Sequence, residues 1–295
     1  MQLMKDFDTD KECRDVLEDL RWPEGVACPR CEGKKIYRAE FQKARQQFDC
    51  ASCGYQFSVT VGTIFQDSKL PLPTWFAATF LLCEAKKGMS SNQLKRTLGV
   101  SYKTAWYLSH RIRAAMKDAA APLLQGTIEA DEHWVGGRQK GAGKGNWRDG
   151  KTMVLGAVAR GGEVRLKVDK RATKKAIHTF LTATVSPDAD ALYTDEHGAY
   201  VGWVDADTRH EHVVHRKDEW VRGEVHTNSI EGVWSLMKRS VIGSYHQLSE
   251  KHLQSYVDEM AWRFNNRDNP YLFRDTLIRL IRAETLPYQD LIAEA

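Results

Sequence analysis

No stretch of this 295-residue chain stays apolar long enough to cross a bilayer. A spanning helix needs ~18 apolar residues, and the greasiest segment, residues 75–83, is short with polar sequence on both sides. The opening MQLMKDFDTDKECRDVLEDL is acidic and patterned, without the basic start and apolar core of a signal peptide. The expectation is a cytoplasmic protein with no membrane partner. The G-x4-G-K-S/T pattern of a phosphate-cradling loop is missing, as are internal repeats and low-complexity tracts. Charge imbalance is slight: 43 Lys and Arg against 39 Asp and Glu give a formal net charge of +4, too little by itself to name a partner. Cysteine is sparse at six residues, and their spacing in a cytosolic chain is not that of a disulfide framework. What remains is an ordinary globular balance, 42% hydrophobic and 28% charged, in a chain large enough to fold as several domains.

Four of the cysteines form two C-x-x-C pairs, Cys28 with Cys31 and Cys50 with Cys53. A two-residue gap lets two sulfurs converge on one ion from a tight turn, and Gly33 and Gly54 permit the turn after each pair. The reading is a structural Zn2+ ion. Four thiolates fill its shell and leave no open position for chemistry, so the ion stabilises a module too small to fold on apolar burial alone. Strand-like pieces KKIYRA, QQFDC and QFSVT predict a small three-stranded unit here. Lys34, Lys35 and Arg38, interleaved with Tyr37, Phe41 and Phe48, give it the look of a nucleic-acid surface; the plainer reading is a solvated basic face.

An amphipathic helix is expected over residues 5–20, with Phe7, Val16, Leu17 and Leu20 on one side. Residues 70–118 then read as three helices broken at GMS and GVS, the cadence of a helix-turn-helix. The last begins at Ser101. Its Lys103 is placed to reach base edges, and Arg111 and Arg113 to reach phosphates; an ordinary packing unit is the alternative.

Beyond Pro122 and Gly126 the order β-β-β-α-β-α-β-α predicts a mixed α/β layer. Three acids in this region stand apart. Asp131 lies inside the strand-like TIEADEHWV, Asp195 closes ALYTD, and Glu231 lies early in the helical HTNSIEGVWSLMKR. Adjacent strands and a flanking helix would bring them to one cradle for Mg2+ or Mn2+, the ions that suit oxygen ligands and phosphodiester chemistry. Lys238 follows Glu231 by seven residues, almost two helical turns, and so shares its helix face within reach of a DNA phosphate; Arg239 is its neighbouring alternative. Glu129 faces the same way as Asp131 and is either a supporting group or a substitute ligand, whereas Glu132 points to the other face. Asn228 and His226 are either accessory groups or helix caps. Trp234 either packs beneath the site or stacks on a base. The glycine-rich segment 136–151 carries Arg138, Lys140, Lys144 and Arg148 and is expected to lie against DNA with a steep dependence on salt.

Taken in order, CPRC...CASCG, GMSSNQLKRTLGVSYKTAW, EADEHWVGG, LYTDEHGAY, HTNSIEGVWSLMKR and WRFNNR resemble the IS1595 (ISXO2-like) bacterial insertion-sequence transposases over essentially the whole chain. The resemblance implies a multidomain protein with a zinc ribbon, a helix-turn-helix and an α/β RNase H-like catalytic domain of the DDE type. The boundaries expected are an N-terminal helical segment 1–22, the ribbon 23–69, the helical DNA-binding domain 70–121, the catalytic domain 122–247 and C-terminal helices 248–295. By motif the first two acids fall on Asp131 and Asp195 and the third on Glu231, with Asn228 the competing position and Lys238 at the family's seven-residue offset. It further implies double-stranded DNA partners (terminal inverted repeats and target DNA), cleavage that frees 3′-hydroxyls, strand transfer, a homo-oligomer on paired ends and a nucleoid-associated location. A related RNase H-like endonuclease or resolvase is the alternative enzyme. A zinc-ribbon and helix-turn-helix regulator is the non-catalytic alternative, and it leaves the acids unexplained.

Overall fold

The computed structural model describes residues 7–39, 46–118, 121–136, 150–203, 209–214 and 219–293. Two compact units emerge: residues 1–116 with 268–295, and residues 117–267. Among the described residues no helix is long and apolar enough to cross a membrane.

Helix α1 (Asp10–Arg21) opens the first unit on a capping box. The Thr9 hydroxyl accepts from the Glu12 amide while the Glu12 carboxylate accepts from the Thr9 amide. Cys13 and Leu17 form its buried side, and Val16 and Leu20 are only half-buried. Strands β1 (Ile36–Arg38), β2 (Phe48–Cys50) and β3 (Gln56–Phe57) pair antiparallel in that order. The apolar matter behind them is little more than Phe48 and Phe57, with Trp22 edge-on to both. So small a cluster cannot hold the sheet unaided, which is the physical reason for the cysteines around it.

Helices α2 (Leu72–Glu84), α3 (Ser91–Leu98) and α4 (Tyr102–Met116) follow. Ser90 caps α3, and Gly99 ends it in the left-handed conformation at φ +67°, a backbone state that favours glycine. Leu94 on α3 and Ala105, Leu108 and Ile112 on α4 are buried.

The second unit is a five-stranded sheet with layers on both faces. Its strands are β4 (Thr127–Val135), β5 (Thr152–Ala159), β6 (Val164–Asp169), β7 (Ala191–Thr194) and β8 (Arg209–His212), in the order β6-β5-β4-β7-β8. β4, β5 and β6 pair antiparallel, whereas β7 and β8 run parallel to β4. Helix α5 (Lys174–Thr182) makes the crossover and seals one face, its Ile177 and Leu181 packing with Ile128, Ala130 and Leu155. Between β7 and β8 a helix is expected; among the described residues the connection holds only a three-residue 3-10 turn (Gly198–Tyr200), halted by Gly202 at φ +78°. A short hairpin of β9 (Val221–Arg222) and β10 (Val225–His226) leads into α6 (Asn228–Ser240), which a π-helical turn (Val241–Tyr245) extends. With α7 (Leu253–Asn265), α6 seals the opposite face through Ile230, Trp234, Met237, Val257 and Met260. β5 is covered on both sides and is correspondingly apolar along its length.

The chain then returns to the first unit as α8 (Leu272–Arg282) and α9 (Tyr288–Ala293). Phe273 meets the rings of Phe76 and Phe80, and the Cys83 thiol donates to Thr276. The segment expected as one block over 248–295 is therefore divided: α7 is consumed in sealing the sheet, and α8 and α9 pack with the N-terminal helices.

Candidate active site and metal centre

The four cysteines converge. Cys28 and Cys53 sulfurs lie 3.7 Å apart, Cys31 and Cys50 3.6 Å apart, and all four lie within 4.8 Å of one another. A tetrahedral ion with Zn–S bonds of ~2.3 Å requires sulfur separations near ~3.8 Å, so the quartet fits zinc. Gly33 has no room for a side chain: a Cβ there would meet Ser52 Oγ at 2.8 Å and Cys31 Sγ at 3.3 Å. The thiols of Cys50 and Cys31 titrate together: burial resists, but the amides of Cys53 and Ser52 and the neighbouring thiols draw Cys50 down to about 6, while Cys31, favoured by the Gly33 amide, is pushed up to about 12 by the sulfurs around it and by burial. Zinc ligands must be thiolates.

Asp131 sits in the middle of β4, opposite Gly156 of β5. A Cβ at Gly156 would lie 2.5 Å from the ring of Trp234, so the glycine is what admits the indole to the sheet. Trp234 Nε1 donates to Asp131 Oδ2 at 2.8 Å, and the Glu132 amide donates to Oδ1 at 2.8 Å. Asp195 follows the last residue of β7, whose pairing with β4 ends at Tyr193 and Glu129. Its Oδ1 accepts from the His197 amide at 2.9 Å. Side-chain oxygens of Asp131, Glu132 and Asp195 all come within 4.8 Å of one another. Burial, then the charges of Asp195 and Glu132, push the Asp131 carboxyl up to about 8 against the opposing Trp234 and Glu132 hydrogen bonds. A divalent cation would relieve that repulsion directly.

Glu132, expected on the far face, is in this cluster, while Glu231 is not. β7 pairs with β4 only as far as Glu129, so positions 131 and 132 lie beyond that pairing. Glu132 is fixed there by the Tyr200 hydroxyl at 3.1 Å. Glu231 lies exposed in the first turn of α6, its Oε1 accepting from Thr227 Oγ1 at 3.0 Å. Lys238 is exposed on the same helix. His133, stacked on Trp234, is pushed down to about 4 by burial and then by Lys238 and Lys151. Trp234 is buried, as core packing requires. The Asn228 amide donates to His226 Nδ1, and His226 lies beside Arg160 and Glu129 rather than in the carboxylate cluster. The alternation of strand faces pointed to Glu129 but away from Glu132; Arg160 and Tyr200 carry no spacing signal that links them to the acids.

Two cations assigned to phosphates are elsewhere. Arg111 is buried, donates to the carbonyls of Ile64 and Gln66 and lies over Trp75. Arg113 has no exposed surface and donates to Ser109. Apart from exposed Ala114 the C-terminal half of α4 is enclosed, whereas Ser101, Tyr102 and Lys103 at its start are exposed. Arg38 pairs with Glu18 and stacks on Phe48. Lys34, Lys35 and Arg239 are exposed. Arg138, Lys140, Lys144 and Arg148, with most of the basic loop 136–151, fall outside the described residues, as does Phe41.

Comparison with known proteins gives concordant matches. Residues 123–265 match the family model of the ISXO2-like transposase domain, and residues 8–56 that of the transposase zinc-ribbon domain. The chain is 31% identical over 274 residues to an uncharacterized protein in the transposable element ISH50 of Halobacterium salinarum, covering 87% of this chain and 91% of that protein. Among solved structures, it is similar to the Mos1 strand transfer complex, with 13% identity, 70% of this chain and 75% of that chain covered and a TM-score of 0.31. The HTLV-2 integrase catalytic core domain in complex with magnesium is similar at 17% identity, 48% of this chain, 84% of that chain and a TM-score of 0.29.

Proposed function

The chain belongs to the ISXO2-like transposase family, and from that premise we propose that Asp131 and Asp195 are the metal-holding acids of a DDE transposase that cleaves terminal inverted repeats and joins their 3′ ends to target DNA. The observation that carries this reading is the convergence of the two aspartates, 64 positions apart by number, on one cluster of oxygens within 4.8 Å. The sheet order β6-β5-β4-β7-β8, antiparallel on one side of β4 and parallel on the other, supports an RNase H-like domain.

Asp131 and Asp195 would hold Mg2+ or Mn2+, with Glu231 as third carboxylate once its bond to Thr227 is released. When bound, such ions activate a water or a 3′-hydroxyl and stabilise the leaving oxygen. The protein's own part is to present these oxygens in place. Trp234 fixes the rotamer of Asp131, and the His197 amide fixes that of Asp195. Tyr200 keeps Glu132 beside them. Lys238 offers a cation to a backbone phosphate from the same helix. In the first unit α3 and α4 serve as the helix-turn-helix, reading bases with the start of α4, and Lys34 and Lys35 of the zinc ribbon add phosphate contacts. Paired ends imply a homo-oligomer.

Labelled candidate end DNA with purified protein and Mg2+ or Mn2+ tests this. Asp131→Asn and Asp195→Asn are expected to bind ends while losing nicking and joining. Full activity in both variants would overturn the assignment, and nicks without joined products would favour a plain endonuclease.

A further inference from the structure

Glu129 is a carboxylate with no exposed surface, two residues before Asp131 on the same face of β4. Burying such a charge is costly unless every lone pair is used, and here the donors come from two places, the start of α6 and the end of β5. The amides of Ser229 and Ile230 at the start of α6 donate to Oε2 at 2.6 and 3.1 Å, and the Ser229 hydroxyl donates to Oε1 at 3.0 Å. Arg160, just past β5, donates its Nε to Oε1 at 2.7 Å. The same guanidinium donates through Nη2 to the carbonyls of Glu224 and His226 at 2.8 and 3.1 Å and to His226 Nδ1 at 3.0 Å, and lies over the ring of Tyr193.

One carboxylate thus caps the helix that carries Glu231, Trp234 and Lys238. Through Arg160 it also ties down the hairpin feeding that helix and the strand leading to Asp195. Its oxygens are taken up by these donors, and it stands outside the carboxylate cluster around Asp131. Helix α6 is fastened to β4 at two heights: Glu129 to its first turn, and Asp131 to Trp234 one turn further on.

We propose that Glu129 is a positioning residue of this active site: its buried carboxylate sets the register of α6 against β4, and so places Glu231 and Lys238 relative to Asp131, without binding metal itself. This rests on the acid-site reading above.

The test uses full-length, zinc-loaded protein and three readouts: amide exchange at Ser229 and Ile230, Mn2+ affinity by electron paramagnetic resonance, and nicking of supercoiled plasmid. Glu129→Gln puts an amide NH2 where donors converge. It is expected to speed exchange at both amides and to weaken Mn2+ affinity and nicking each by ~10-fold or more. In the wild-type protein Mn2+ is expected to leave that exchange unchanged or slower. Faster exchange on adding Mn2+ would mean that Glu129 swings onto the metal, and would overturn the proposal. So would a Glu129→Gln protein with altered exchange but unaltered Mn2+ affinity and nicking, since that is the signature of a helix cap alone. Should Glu129→Gln fail to fold, Arg160→Gln removes the tether from the other side and carries the same expectations. Asp131→Asn separates the two readings: Mn2+ affinity unchanged there overturns the site and this proposal together, whereas affinity lost there but kept in Glu129→Gln overturns the positioning role alone.

Discussion

The indole of Trp234 donates from Nε1 to Oδ2 of Asp131 at 2.8 Å while its ring packs against Gly156, where a Cβ would lie 2.5 Å from it. A side chain that reads as core from its helical position is thereby also the hydrogen-bond partner of Asp131, the first acid of the proposed site. Trp234→Phe keeps most of the apolar contact and deletes the donor. A hydrogen bond to a charged group contributes ~1.5–3 kcal/mol, so nicking is expected to fall roughly 10- to 100-fold with end binding intact. Gly156→Ala attacks the same contact from beneath and should displace the indole, lowering stability by about 1–3 kcal/mol as overpacking does. Denaturant midpoints and single-turnover nicking check both; a Trp234→Phe protein with wild-type nicking would show that the bond orients nothing.

Two cationic residues of α4, Arg113 and Lys103, separate folding from DNA binding. Arg113 is enclosed, and Arg113→Ala is expected to cost about 2–4 kcal/mol of stability, the range for disrupting a buried polar contact. Lys103 is exposed over the Tyr288 ring, where a surface cation–π contact is worth only ~0.5–1 kcal/mol. Lys103→Ala should therefore leave the midpoint almost unmoved and weaken end-DNA binding about 10-fold, as loss of a base-reading side chain does. Comparison of the two variants by urea titration and by gel shift at fixed salt decides the matter. Stable Arg113→Ala protein with selectively weakened DNA binding would return that residue to the interface.

Metal removal should be local. The ribbon's apolar cluster is small, and its four sulfurs would repel as bare thiolates, so chelation or Cys50→Ser is expected to unfold residues 23–65. The sheet of residues 117–267 has its own core on both faces and should keep its unfolding transition. Zinc stoichiometry, circular dichroism and amide exchange would follow this; an unchanged spectrum and stability after full metal loss would mean that the thiols hold no structural ion.

Local patterns in the sequence carried much of the architecture. The paired C-x-x-C turns, a serine cap at Ser90 or Ser91 and the Gly99 stop are short-range signals, and each marks a feature of the fold, the cap falling on Ser90. Asp195 was legible because it closes the largely apolar run ALYT, and Asp131 because it falls among other acids inside a strand-like segment. What the sequence hid is set by three-dimensional enclosure. Arg111 and Arg113 look like phosphate contacts until Ile64, Gln66 and Ser109 are seen to take their hydrogen bonds. Strand alternation sends Glu132 to the far face, but it cannot register that the pairing of β7 with β4 stops at Glu129 and that the Glu132 carboxylate joins those of Asp131 and Asp195 beyond it. The division of the C-terminal helices is likewise a matter of which core has an open face.

Asp131 and His133 make the stability of the magnesium-free, zinc-loaded protein depend on pH in opposite directions. His133 has its folded pKa depressed to about 4, below the ordinary ~6.5, so the unfolded chain binds the extra proton and stability rises with pH through that interval. Asp131 has its folded pKa raised to about 8, above the ordinary ~3.9, so the folded protein holds the extra proton and stability falls as pH rises toward 8. Below ~6.5 the two slopes oppose each other; above it His133 is neutral in both states and the Asp131 slope stands alone. One proton corresponds to ~1.4 kcal/mol per pH unit, so stability should drop on the order of 1–2 kcal/mol between pH 6.5 and 8. Asp131→Asn abolishes the slope, and saturating Mg2+ should flatten it by holding the carboxylate ionised in the folded state. Urea titrations at half-unit pH steps measure all three; a flat profile in the metal-free wild-type protein would mean that Asp131 is already ionised at neutral pH and that the cluster does not raise its affinity for protons.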